Sequence, residues 1–97
     1  MTTLSNDIRA HRDEILRISA LHGAYNVRVF GSFVRGESGP ESDLDLLVDA
    51  GPATTPFFPG GLVADLEQLL GRRIDVVEPD GLLPALRDRV LREAVPL

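Results

Sequence analysis

The sequence contains no cysteine, which excludes a disulfide framework, a thiolate metal site and a cysteine nucleophile. That fits a reducing compartment. It also lacks any apolar run near the ~18 residues that a membrane span needs, and its first residues lack the basic-then-apolar order of a secretory signal. A soluble, cytoplasmic chain with no membrane contact is expected. Internal repeats and low-complexity tracts are missing too. Basic charge is in short supply: Lys and Arg number 10 against 15 Asp and Glu, for a net charge of −5. Such a chain repels a phosphate backbone, so no direct DNA or RNA binding is expected. A small anion can still bind where metal ions neutralise the local field. With 97 residues the chain makes one domain, residues 1–97, of thin stability, which a partner covering part of its surface would help.

Apolar spacing supplies the element order. Leu4, Ile8, Ile15, Ile18 and Leu21 fall near one face of a helix over Ser5 to His22, which Ser5 or Asn6 can cap and Gly23 ends. Val27 to Phe30 reads as a short strand running into Gly31-Ser32, with a short helix from Phe33 to Gly36. Leu44 to Val48 is a second strand, with Asp43 at its entrance. Gly51 to Gly61 is a loop broken by Pro52, Pro56 and Pro59. Then come a helix over Leu62 to Leu70 stopped by Gly71, a strand over Ile74 to Val77, a Pro79-Asp80-Gly81 turn and a helix over Leu82 to Val95. The expected fold is α/β (α+β), a small mixed sheet of about three strands backed by helices.

Two features of this outline carry chemistry. Asp43 and Asp45 are two apart at a strand, so their side chains share one face with Cα atoms roughly 6.5–7 Å apart. Such a pair can grip a divalent ion, and Mg²⁺ favours a few carboxylates together with water and phosphate oxygens. Alternating acids on a strand also serve solubility, so the pair alone is a weak signal. Gly31-Ser32 follows an apolar strand, where glycine lets a ligand approach and the following amides can point at a phosphate. Taken alone, the two residues read rather as an ordinary strand-to-helix turn with Ser32 as its cap.

Taken together, Gly31-Ser32-Phe33-Val34-Arg35-Gly36 and Ser42-Asp43-Leu44-Asp45-Leu46-Leu47-Val48 resemble the signature of the polymerase-β-like nucleotidyltransferase superfamily. That signature is Gly-Ser, an Arg-Gly a few residues on, then Ser-Asp-x-Asp-Leu and an apolar residue. The chain looks closest to the minimal nucleotidyltransferases. The resemblance implies a third catalytic carboxylate on a later strand, and Asp75 within Arg73-Ile74-Asp75-Val76-Val77 matches it. By composition alone, Asp75 reads equally as an exposed strand acid or a partner of Arg72 or Arg73.

The roles implied by resemblance follow residue by residue. Gly31 and Ser32 would hold the triphosphate of ATP. Asp43, Asp45 and Asp75 would ligate Mg²⁺, with two ions expected, and Asp75 would help deprotonate the attacking hydroxyl. Arg35 would either reach a phosphate or brace the loop by bonding an acid, and Ser42 would order the turn before Asp43. The three acids should converge beside the Gly31-Ser32 turn. Minimal members commonly act as antitoxins of a helical HEPN-family toxin with RNase activity, in some cases by transferring AMP to the toxin. Protein adenylylation is therefore the expected activity. Neutralisation by simple occlusion and transfer to a small molecule are the alternatives. His11 and His22 are expected in surface or capping roles, Glu37, Glu41 and Asp49 as solvated flanks, Arg72-Arg73 as a solvated helix end, and Phe57-Phe58 as packing residues.

Overall fold

A computed structural model describes residues 6–39 and 42–97. Leu4, Ser5 and Glu41, named above, lie outside them. The first helical stretch is two helices, α1 (Asn6–Ala10) and α2 (Arg12–Leu21), separated at His11. Ile8 and Ile15 are fully buried, and Ile18 packs against the same core. Leu21 departs from the expectation: it ends α2 exposed. Gly23 then turns the chain with φ +86°, and a Cβ there would lie 2.6 Å from the Ala53 carbonyl oxygen. Only glycine lets the two segments cross so closely.

Strand β1 (Ala24–Phe30) starts three residues earlier than its apolar run suggests. Asn26 has φ 52° and the β1–β2 register shifts between Tyr25 and Arg28. A bulge of this kind breaks the alternation by which a strand is read. After the short helix α3 (Ser32–Arg35) comes β2 (Leu44–Ala50), then α4 (Gly60–Leu70) and β3 (Ile74–Val77). The last helix is shorter than expected. A 3₁₀ turn occupies Pro79–Gly81, α5 runs over Pro84–Glu93 with Pro84 in its first turn, and Val95–Pro96 form a two-residue strand β4. So short a strand has no period of its own, and its neighbours Val29 and Arg28 on β1 define it.

The sheet has four strands in the order β3-β2-β1-β4. The β2–β3 pair is parallel, joined through α4, and the other pairs are antiparallel. Leu44, Leu46 and Val48 on β2 join Val27, Val29, Ile74 and Val76 in one core face, closed by Ile8, Ile15, Leu62 and Leu66 from the helices. Strand alternation sends Asp45 and Asp75 to the opposite face. Leu47, on that second face, is fully buried apart from the main cluster. Among the described residues no helix is long and apolar enough to cross a membrane.

Three smaller expectations are refined. Phe58 packs partly buried against the core, whereas Phe57 is exposed. Asp49 is more than a solvated flank, since its carboxylate accepts from Arg28 at 3.1 Å and from Asn26 at 2.9 Å. Those bonds hold the bulged part of β1 against β2. His22 is a strut between segments: its Nε2 donates to Asp65 at 2.7 Å, and its Nδ1 lies 2.7 Å from the Thr55 hydroxyl.

Candidate functional site

The acids of the sequence motif lie at one end of the β2–β3 ladder, Asp45 and Asp75 as direct partners and Asp43 just ahead of β2. Asp45 and Asp75 are register partners in the parallel pair, and Phe30 at the end of β1 is the partner of Asp45 on its other side. Directly paired residues on neighbouring strands project from the same face. Asp43 immediately precedes β2, where it makes an ion pair with Arg73 at 3.9 Å. The Leu44 amide donates to the Arg73 carbonyl at 3.0 Å, tying the two acid-bearing segments together at the backbone.

Gly31 follows Phe30 and brings the turn onto Asp45. Its φ is +80°, and the position of a Cβ is already occupied by the Asp45 carboxylate. Here the glycine serves a close approach as well as a turn. Ser32 opens α3, and the Val34 and Arg35 amides donate back to the Gly31 carbonyl. Ser42 orders the loop ahead of Asp43, its hydroxyl accepting from the Gly39 amide at 2.8 Å.

Electrostatics mark Asp45 as the strained member. Burial, then the neighbouring charges of Asp75 and Asp43, push its pKa up to about 6, with Glu93 adding to the rise and Arg35 opposing it. Desolvation and like-charge repulsion both penalise a carboxylate anion. Among the described residues no three His, Cys, Asp or Glu side chains already close round one point as a metal-ligand set. Asp45 and Asp75, paired across the parallel register, present hard oxygen donors of the kind a divalent cation takes, and a cation between them would offset the repulsion that, after burial, raises the Asp45 pKa.

Arg35 is braced in this structure. Its Nε donates to Glu37 at 2.6 Å and its Nη1 to Glu93 at 2.7 Å. These two bonds, Glu93 first, raise its pKa. Glu93 also accepts from the Gly31 amide at 3.0 Å. Burial opposes its ionisation, but the Gly31 bond and the Arg35 pair outweigh that cost and hold its carboxyl below the usual range.

Glu93 and Arg72 were missed by sequence reasoning. Glu93 falls in a helix far from the motif, and nothing in its spacing marks it. Arg72, expected as a solvated helix end, instead lies over the Phe33 ring at 4.9 Å and donates to the Ser42 carbonyl at 3.2 Å. Its Nε is buried with no hydrogen-bond partner among the described residues. Arg72 thus links α3, the loop before Asp43 and the approach to β3. Its position directly after the helix-stopping Gly71, two residues before β3, was the available signal.

Comparison with known proteins agrees with this geometry. A model of the nucleotidyltransferase domain family matches residues 8–97. The chain is 39% identical over 90 residues to the protein adenylyltransferase MntA of Thermococcus cleftensis, covering 91% of this chain and 86% of that one. A solved structure described as a minimal nucleotidyltransferase superposes with TM-score 0.82 at 51% identity, covering 93% of this chain and 92% of the other. A solved toxin–antitoxin complex with AMP-PNP superposes with TM-score 0.74, covering 95% of this chain and 72% of that one; at 19% identity it speaks to the fold alone.

Proposed function

The chain belongs to the nucleotidyltransferase domain family, and on that premise we propose that it is a Mg²⁺-dependent enzyme transferring AMP from ATP to a hydroxyl of a partner protein, as the antitoxin of a helical HEPN-type RNase toxin. The observation that carries the reading is the Asp45–Asp75 register with Gly31 seated against Asp45. Three carboxylates and a phosphate-accepting turn are the parts that nucleotidyl transfer requires. A protein acceptor is supported by the Thermococcus relative, a protein adenylyltransferase 39% identical to this chain.

In this scheme Asp43, Asp45 and Asp75 are the residues that would hold Mg²⁺. When bound, the metal neutralises phosphate charge and lowers the barrier to attack at phosphorus. The Ser32 hydroxyl and backbone amide receive the triphosphate, the Gly31 amide being held by Glu93, and Arg35 supports its negative charge. The acceptor oxygen forms a bond to the α-phosphorus while the bond to the pyrophosphate oxygen breaks. The proton of the hydroxyl passes to the Asp75 carboxylate, which is exposed and so reachable by an acceptor.

A second reading has its own observation. Leu83, Leu86 and Leu91 stand exposed on and before α5, apolar side chains that a partner would cover in an antitoxin that works by occlusion. The two readings separate in one experiment. The chain is incubated with Mg²⁺, ATP labelled at the α-phosphate and the protein encoded by the neighbouring gene, alongside Asp43→Asn. Label on the partner that depends on Asp43 supports transfer. A tight complex without label overturns it in favour of occlusion.

A further inference from the structure

The nucleotide turn is held from the opposite end of the chain. Glu93 is the last residue of α5. Val90, one turn earlier, is buried, and Val95 just beyond pairs with Val29 of β1. The Glu93 carboxylate is thus anchored on both sides by packed structure. Its oxygens are divided between two partners: Oε2 accepts from the Gly31 amide at 3.0 Å, and Oε1 accepts from Arg35 Nη1 at 2.7 Å.

We propose that Glu93 is a positioning residue for nucleotide binding, setting the Gly31 turn with one oxygen and aligning the Arg35 guanidinium with the other. This assignment rests on the reading that the turn and Arg35 receive a triphosphate. Gly31 is where the turn touches Asp45, so fixing its amide also fixes the turn relative to a catalytic acid. The side chain of Glu93 is only 16% exposed, against 63% for Glu37, the other carboxylate on Arg35. An exposed pair is screened and costs side-chain entropy, so the sheltered Glu93 pair dominates the alignment. A long arginine held in place before the ligand arrives loses less freedom on binding, which strengthens binding without any new contact.

The test uses the full chain with its acceptor, measuring unfolding midpoints, Mg·ATP affinity by calorimetry, and KM and kcat for transfer. Glu93→Gln keeps an oxygen for the Gly31 amide but removes the charge facing Arg35. We expect its KM for ATP to rise about tenfold, with kcat within about twofold of the native value and the unfolding midpoint little changed. In an Arg35→Ala background the same substitution should leave KM unmoved, because Glu93→Gln keeps the bond to Gly31 and disturbs only the contact with Arg35. A strut that only supports the fold would lower the unfolding midpoint and leave the KM coupling absent. Unchanged or lowered KM in Glu93→Gln, or an equal effect with and without Arg35, overturns the assignment. Failure of the native chain to bind Mg·ATP overturns the nucleotide reading, and this assignment with it; native binding with an indifferent Glu93→Gln overturns this assignment alone.

Discussion

The carboxylate of Asp45 rests against the Cα of Gly31, in the space where any other residue would place its Cβ. The acid and the turn are therefore a single packed unit. Gly31→Ala must move one or the other and also strain a backbone with φ +80°. Gly36 is the natural control, since it has φ +75° but no atom within 4 Å of the place an added methyl would take. At Gly36, which is left-handed helical with ψ 20°, an alanine costs ~1–2 kcal/mol, whereas Gly31 with ψ −151° lies in a region essentially reserved for glycine and adds a larger backbone cost to the contact with Asp45. Only Gly31→Ala should lose transfer activity and stability beyond that, as denaturant unfolding and label transfer would register. Equal losses in both variants would show that the contact with Asp45 is unimportant.

The raised pKa of Asp45, at about 6, gives the metal-free protein a pH dependence of defined sign. A carboxyl whose folded pKa lies above its unfolded value favours the folded state when protonated. That contribution is complete below the ordinary aspartate value of 3.8 and is lost as pH rises through about 6. Asp45→Asn should therefore stabilise the metal-free chain at pH 7, by ~1 kcal/mol after allowance for solvent screening of a half-buried group. It should also flatten the stability profile between those two values. Unfolding curves at graded pH with a chelator present would check both effects, and Mg²⁺ should narrow the difference between the two proteins.

Arg72 joins three segments through one side chain, stacking on Phe33 and donating to the Ser42 carbonyl. Arg72→Lys keeps the charge but loses the planar stack, and should cost ~1 kcal/mol of stability. Because Ser42 leads into Asp43, transfer should fall together with stability in this variant. Thermal unfolding and initial rates on the same preparation would test the pairing of the two effects.

His22 bridges α2 to the Thr55 loop and to Asp65 on α4. His22→Ala should cost ~1–2 kcal/mol by leaving these partners unpaired. Transfer rates measured well below the unfolding midpoint should stay at the native level. A drop in kcat there would place the α2–α4 contact in the working parts of the enzyme.

Much of this molecule is legible in one dimension. Apolar periods mark the helices α2 and α4 and the strands β2 and β3, because a helix or strand facing a core must repeat its apolar residues at 3.6 or 2. Asp43 and Asp45 stand out as acids at an apolar strand, and Gly31-Ser32 as a turn at the end of another. The bulge at Asn26 and the two-residue β4 leave no period, so their extent was not readable. Leu83 and Leu86 have helical spacing yet remain exposed, since spacing records which face is apolar and not whether anything covers it.

Sequence alone determined the family signature and the order of the main helices and strands, without β4 or the break at His11, and it marked the three acids as candidates; these readings depend on neighbours along the chain. Tertiary structure decided the rest. It set Asp75 opposite Asp45 through the parallel register, brought Glu93 onto Gly31 and Arg35, and moved Arg72 from a solvated end to a stack on Phe33. These are contacts between segments distant in sequence. Local spacing carries no record of them, because they come into being only when the sheet closes and its strands choose their partners.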